Sequence, residues 1–278
     1  MASNVERLDR FLANNFFGTR KDVKKIIRSG AVEINCKVVT DCSFHLDPLK
    51  DKVCVENEPV FAREFVYLMM NKTAGYVSAK SDKRYKTVFD LLDERFRSAK
   101  EFDALHTVGR LDLDTEGLLL FTTDGSLTHF LISPKSHIDK TYLVFLKEKM
   151  TTAEKSECIN RFADGIHIEG EDNEDEADCA PAKAEFIEKE KALMLADSEA
   201  ALASDAHEFS LLTIHEGKYH QVKRMFCALS NKVVYLKRLS IGNLNLDPFL
   251  KPGEYRELTA EEAEFLKSCS IKKSCGTE

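Results

Sequence analysis

Residues 109–125 read GRLDLDTEGLLLFTTDG and set Arg110 and the carboxylate of Asp112 just ahead of an apolar run, Leu118 to Phe121. Residues two apart in an extended segment share one face, so Arg110 and Asp112 lie side by side. The run is short and is bounded by Gly117 and by Asp124-Gly125, which predicts a buried strand rather than a helix. A carboxylate kept beside such a strand is either paired, with Arg110 as the partner at hand, or reactive. A cation within ion-pair reach would keep it ionised as a nucleophile and orient it. Further along, residues 218–238 carry Lys218, Lys223, Arg224, Lys232, Lys237 and Arg238 and no acid, a stripe expected to face phosphate. His220 and Gln221 stand in the same stretch. His220 is not read as a general base, because histidines at strand-to-helix junctions more often hold backbone by hydrogen bonding.

The elements that must position these groups follow from periodicity. Val5, Leu8, Leu12 and Phe16 form a helical stripe over residues 5–17, and a second helix is predicted to start at Thr19 with Asp22 in a capping box and to close at Gly30. Val23, Ile26 and Ile27 form its inner face, and Arg20, Lys21, Lys24, Lys25 and Arg28 crowd its outer side. Residues 31–39 read as a hairpin. Pro59 breaks the next strand, residues 61–63 are read as a linker, and an apolar strand begins at Phe65. After Thr87 the expected order is a helix to Phe96, the Asp112 loop, a strand to Thr123, a short helix near residues 127–132, a strand at 142–146, a helix at 153–162 and a strand at 182–187. The fold class is α+β: residues 1–60 a small N-terminal domain, 61–278 a larger mixed-sheet domain.

Composition limits what such a chain can be. At 278 residues and 43% hydrophobic content it can bury a large core. No apolar stretch approaches the roughly 20 residues needed to cross a bilayer, and the first nine residues are polar rather than signal-like, so no membrane partner and a cytoplasmic location are expected. The eight cysteines show no C-x-x-C pair and no histidine at finger spacing, so a metal site is not expected and the thiols are read as reduced. The net charge of -7 is local in origin. Residues 164–208 carry 15 acidic and 3 basic residues, leaving the remainder net positive. Within that stretch, residues 188–207, rich in Ala, Glu, Leu and Lys, read as an acidic insertion tolerated at the surface. No heptad or repeat is apparent, and a monomer is expected.

Gly109-Arg110-Leu111-Asp112 with Thr115, Gly117 and Thr123-Asp124-Gly125 resembles the central motif of the pseudouridine synthases, in the branch of RsuA, RluB, RluE and RluF. Lys140-Thr141-Tyr142-Leu143-Val144 is similar to the second motif and residues 216–226, EGKYHQVKRMF, to the third. Asn71-Lys72-Thr73-Ala74-Gly75 resembles the family's Asn-Lys-Pro-x-Gly opening, with Thr73 in place of proline. In residues 1–60, Arg7-Leu8-Asp9, Gly18-Thr19-Arg20 and Gly30-x-Val32-x-Ile34-Asn35 resemble an S4 RNA-binding module. Cations on such a helix face would meet phosphates and position the protein without reading much sequence.

The resemblance implies isomerisation of uridine to pseudouridine within RNA, without cofactor or metal. Asp112 becomes the nucleophile, and Asp114 and Asp124 serve the loop. Tyr142 lies against the target base, where stacking needs no shift from the phenol pKa near 10. Lys223 is the basic partner of Asp112, with Arg224 as runner-up, and Arg224, His220 and Gln221 are expected at the substrate. A stacked base must be flipped out, and Arg110 is suited to the vacated space because its guanidinium plane stacks on bases while its donors reach phosphate. Arg7, Arg20, Lys21, Lys24, Lys25 and Arg28 are the expected RNA grip. Likeness to RsuA itself implies one uridine, position 516, of 16S ribosomal RNA in a partly assembled small subunit. A 23S target is the alternative, and a ribosome-assembly RNA-binding factor without catalysis is the rival from another class.

Overall fold

The N-terminal apolar stripe yields a shorter helix than its periodicity predicts. A short strand, β1 (Glu6–Arg7), pairs with β4 (His45–Leu46), and only then does α1 (Leu8–Asn14) begin. The computed structural model describes residues 5–266 except 16, 19, 49, 61–64, 95, 97–103 and 173, so the capping residue Thr19 and the linker at 61–63 lie outside the described residues. Helix α2 (Arg20–Arg28) stops at Gly30, whose φ of +82° turns the chain away. Strands β2 (Val32–Ile34) and β3 (Lys37–Val38) are joined through Asn35 and Cys36, both left-handed, as a type I′ hairpin requires. With β5 (Val53–Val55) and β6 (Glu58–Val60) they form a sheet in the order β3-β2-β5-β6. Leu8, Phe11, Leu12, Val23, Ile27 and Val32 are its core, which leaves Arg20, Lys21, Lys25 and Arg28 exposed and Lys24 half-buried on the far side of α2. This unit spans Met1–Val66 with Asp93–Leu105; a second comprises Tyr67–Leu92 and His106–Glu278.

The second unit begins with β7 (Tyr67–Lys72) and a small parallel pair, β8 (Tyr76–Val77) and β9 (Lys86–Thr87). The helix expected from Thr87 to Phe96 opens as a 3-10 turn, Val88–Leu91, held by a capping box between Thr87 and Asp90, and the chain is helical again at Glu94 and Phe96. Next come β10 (His106–Thr107), β11 (Glu116–Thr122), α3 (Gly125–Ile132) and β12 (Lys140–Leu146). Asp124 caps α3 by accepting from the Leu127 amide at 3.0 Å. Helix α4 (Thr152–Asp164) follows, capped by Thr151 and Glu154. A hairpin of β13 (Ile166–Ile168) and β14 (Ala177–Cys179) leads to β15 (Lys183–Phe186), α5 (Lys189–Ala196) and α6 (Glu199–Leu202). The last elements are β16 (Glu208–Ile214), α7 (Gln221–Cys227), β17 (Val233–Ile241), β18 (Leu244–Asn245) and β19 (Tyr255–Glu257).

These strands build one mixed sheet in the order β15-β16-β12-β17-β11-β7-β19, with β10 added to β11 and β18 to β17. Within it β11 and β17 are parallel and the other described pairs antiparallel. Strand β11 is buried at every position, as its apolar run predicts. The segment read as a surface insertion is part of the core instead. Ala192, Ala196 and Ala201 are buried against Leu143, Phe145 and Tyr235, because α5 and α6 present their small residues to the sheet and their charges outward.

Gly117 sets how closely β11 and β17 approach. Its φ is +97°, and a Cβ there would overlap the Arg238 carbonyl oxygen and stand 2.8 Å from the Arg238 amide nitrogen. Gly117→Ala is therefore expected to cost about 2–5 kcal/mol from left-handed strain and overpacking. Thermal melting should report a fall of roughly 4–20 °C; an unchanged midpoint would show that the strand pair tolerates separation.

Candidate active site

The loop between β10 and β11 carries Asp112, and two sets of groups fix it. From below, Lys72 at the end of β7 is wholly buried and donates from Nζ to the carbonyls of Thr73 (3.1 Å), Asp112 (3.0 Å), Leu113 (3.3 Å) and Thr115 (2.7 Å). Burial, only partly offset by Asp114, Glu116 and Asp112, pushes the Lys72 ammonium down to about 8. The Ser78 hydroxyl donates to the Leu111 carbonyl at 2.9 Å and accepts from the Leu111 amide at 3.1 Å, so the loop is pinned just before the aspartate as well.

From above, α7 supplies Lys223. Lys223 Nζ lies 3.2 Å from Asp112 Oδ2 and 2.6 Å from Asp114 Oδ1. Burial works against the Lys223 charge, but the hydrogen bond to Asp114 and the charges of Asp112 and Asp114 outweigh it and raise its pKa. Asp114 is held below the usual carboxylate range, its own burial being overcome by the same bond. His220 stands at the start of α7 in a left-handed conformation, with Nε2 3.7 Å from Asp112 Oδ1 and Nδ1 3.1 Å from Glu171 Oε2. Its ring stacks on Tyr219 at 3.8 Å. The expected backbone-holding role for His220 is thus corrected: its ring bridges two carboxylates, one of them Asp112.

Asp112 opens onto a cavity of about 80 Å³ whose walls include Arg110, Thr115, Tyr142, Ile214, Val222 and Leu236. Tyr142 comes from β12, paired with Arg238 of β17, and its ring is buried in the wall. The predicted alternative of an Arg110–Asp112 ion pair does not form. Arg110 is exposed, and the partners of Asp112 among the described residues are Lys223 and His220.

Two expectations for the basic stretch need correction. Arg224 does not reach Asp112: it is buried, donating from Nε and Nη2 to the Glu169 carbonyl, from Nη2 to Asp175 and from Nη1 to Tyr219. It ties the β13–β14 hairpin to α7, a structural rather than a substrate position. Gln221 is buried at the cavity's edge with its amide on Glu216 Oε1 at 2.6 Å and the Lys218 amide at 2.9 Å, so it shapes the wall. Nor is the stretch a solvent-facing stripe. Lys237 and Arg238 are buried, Lys218 pairs with Glu216, and Lys232 is exposed. In the N-terminal unit Arg7 forms a two-bonded pair with the buried Asp9, at 3.0 and 2.8 Å. The residue missed by sequence reasoning is Lys72. Its signal was a lysine closing an apolar strand within the Asn71–Gly75 motif.

A family model described as RNA pseudouridylate synthase matches residues 66–228. The chain belongs to this family. An S4 domain model matches residues 6–53 of the synthase. An RNA pseudouridine synthase of Bacillus subtilis, YtzG, is 46% identical over 94% of the synthase and 98% of the relative. Ribosomal small subunit pseudouridine synthase A of Haemophilus influenzae is 39% identical over 94% and 99%. A pseudouridylate synthase crystal structure, 38% identical, superimposes with a TM-score of 0.58 over 94% of the synthase and 99% of that chain. The S4-plus-synthase fold expected from the motifs is the fold of the family.

Proposed function

We propose that the synthase converts one uridine of 16S ribosomal RNA, the position 516 site, to pseudouridine in the small subunit with Asp112 as nucleophile. The observation that carries this reading is the placement of Asp112 between Lys223 and His220 at the mouth of a cavity walled by Tyr142 and Leu236. The Lys223 ammonium and the His220 ring hold the carboxylate in place beside the cavity, as a nucleophile requires. Asp112 begins cleavage of the bond between uracil N1 and ribose C1′, the base turns in the cavity against the Tyr142 ring, and C5 bonds to C1′. The C5 proton is then lost, with the Tyr142 hydroxyl as its relay, and N1, freed from the ribose, takes up a proton, so product and substrate have the same atoms. Arg110, exposed beside the cavity, enters the space left by the flipped base. Arg20, Lys21, Lys25 and Arg28 on the exposed face of α2 grip the RNA backbone. The small-subunit assignment rests on the name and near full-length similarity of the Haemophilus relative.

Tritium release from 5-tritiated uridine separates the readings. It is expected from 16S transcripts or their ribosomal-protein complexes. Release from 23S transcripts instead would move the substrate to the large subunit, and release from neither would favour an RNA-binding factor.

A further inference from the structure

A second cavity, of about 100 Å³, shares Arg110, Tyr142 and Gly217 with the Asp112 cavity and is otherwise walled on its polar side by Lys140 and Arg238. We propose that this cavity seats a phosphodiester of the RNA beside the uridine taken up at Asp112, with Lys140, Arg238 and Arg110 as its cationic walls. The inference rests on the reading of Asp112 as the reacting carboxylate.

Lys140 and Arg238 are each more than nine-tenths buried, yet among the described residues no carboxylate lines the cavity between them. Among the described residues Lys140 Nζ donates to the Ile138 carbonyl alone, at 3.2 Å. Arg238 donates from Nε to the Leu118 carbonyl at 2.8 Å, while its Nη2 is buried without a hydrogen-bond partner among the described residues. The carboxylates that act on Lys140 are Asp139 and Glu216. Asp139 is exposed, and Glu216 already accepts from Lys218, Gln221 and the Ala180 amide. Burial together with the Arg238 charge therefore pushes Lys140 down to about 8. Two buried like charges and an unfilled donor are costly to a fold on their own. An anion with several acceptor oxygens satisfies all of them at once, and RNA carries one on either side of every nucleoside. The shared wall residues put that anion beside the ring on which the base rests.

The test measures binding of a 16S transcript to full-length Asp112→Asn protein, with and without Lys140→Met, across a salt series. Loss of one phosphate contact should reduce the slope of log K against log salt by about 0.7–1. Affinity should fall about 10- to 100-fold at low salt. Lys140→Arg should keep the slope, and melting of each variant reports folding. A single neutral methylphosphonate beside the modified uridine should weaken binding to Asp112→Asn and add nothing to the loss in the Lys140→Met double variant. An unchanged slope, or additive losses, overturns the assignment. Native protein that releases no tritium from any RNA fails the underlying reading instead, whatever the slope.

Discussion

Asp112→Asn is expected to lower the rate of tritium release by at least about four orders of magnitude, the scale on which removal of a reacting carboxylate or nucleophile acts. The amide keeps the size and shape of the carboxylate, so the loop above Lys72 has no reason to move. Lys223 keeps its 2.6 Å bond to Asp114, which leaves no unpaired cation behind. Asp112 and Lys223 are both partly open to solvent, so stability should change by no more than about 1 kcal/mol. RNA binding should be retained or tightened, because one negative charge leaves a surface that phosphates approach. Single-turnover kinetics and filter binding on the same preparation check both halves. Retained turnover would remove Asp112 from the chemistry; lost turnover with lost binding would point to a misfolded site.

The second large effect is expected at Lys72. Lys72→Met fills the same volume but leaves the carbonyls of Asp112, Leu113 and Thr115 without their buried donor, at about 1–3 kcal/mol for each that finds no other partner. The loop above then settles differently. A displacement near 1 Å is worth about 100-fold in kcat, with little change in KM for RNA. Its pH signature has a definite sign. Native Lys72 titrates near 8 and an unfolded lysine at 10.5, so between these values the unfolded chain holds more protons and this group makes stability rise with pH. Lys72→Met should lose that rise. Lys140, also near 8, contributes the same slope to both proteins and cancels in the difference. Denaturant unfolding from pH 7 to 10.5 would reveal it; identical curves and full kcat would show that the lysine is a bystander.

Much of the site was legible because glycines, caps and apolar runs speak about local geometry. Asp124-Gly125 follows the end of β11 as read, Gly117 lies one residue inside its start, and Gly30 with Asn35 and Cys36 marks the turns of the N-terminal sheet. Charge was read less well, since a lysine or arginine in sequence is normally a surface residue. Lys72, Arg224, Lys237 and Arg238 are buried because backbone carbonyls far along the chain meet their donors. No local pattern announces such a meeting. Residues 189–202 misled for the converse reason: the alanines that α5 and α6 bury are too small to stand out as an apolar face among so many charges.

The pairing of Gly117 with Arg238 also has a meaning in time. The two residues lie 121 positions apart, and a ribosome adding 5–20 residues per second needs roughly 6–24 s to go from one to the other. Throughout that interval the strand behind Asp112 has its β7 partner but lacks its β17 neighbour, and α7 with Lys223 is still being made. A nascent chain therefore carries an exposed apolar strand edge until β17 has been added, and Asp112 has no Lys223 beside it until α7 has been. Premature termination before β17 yields protein that keeps its S4 unit but lacks a finished synthase sheet, and that is prone to associate with itself.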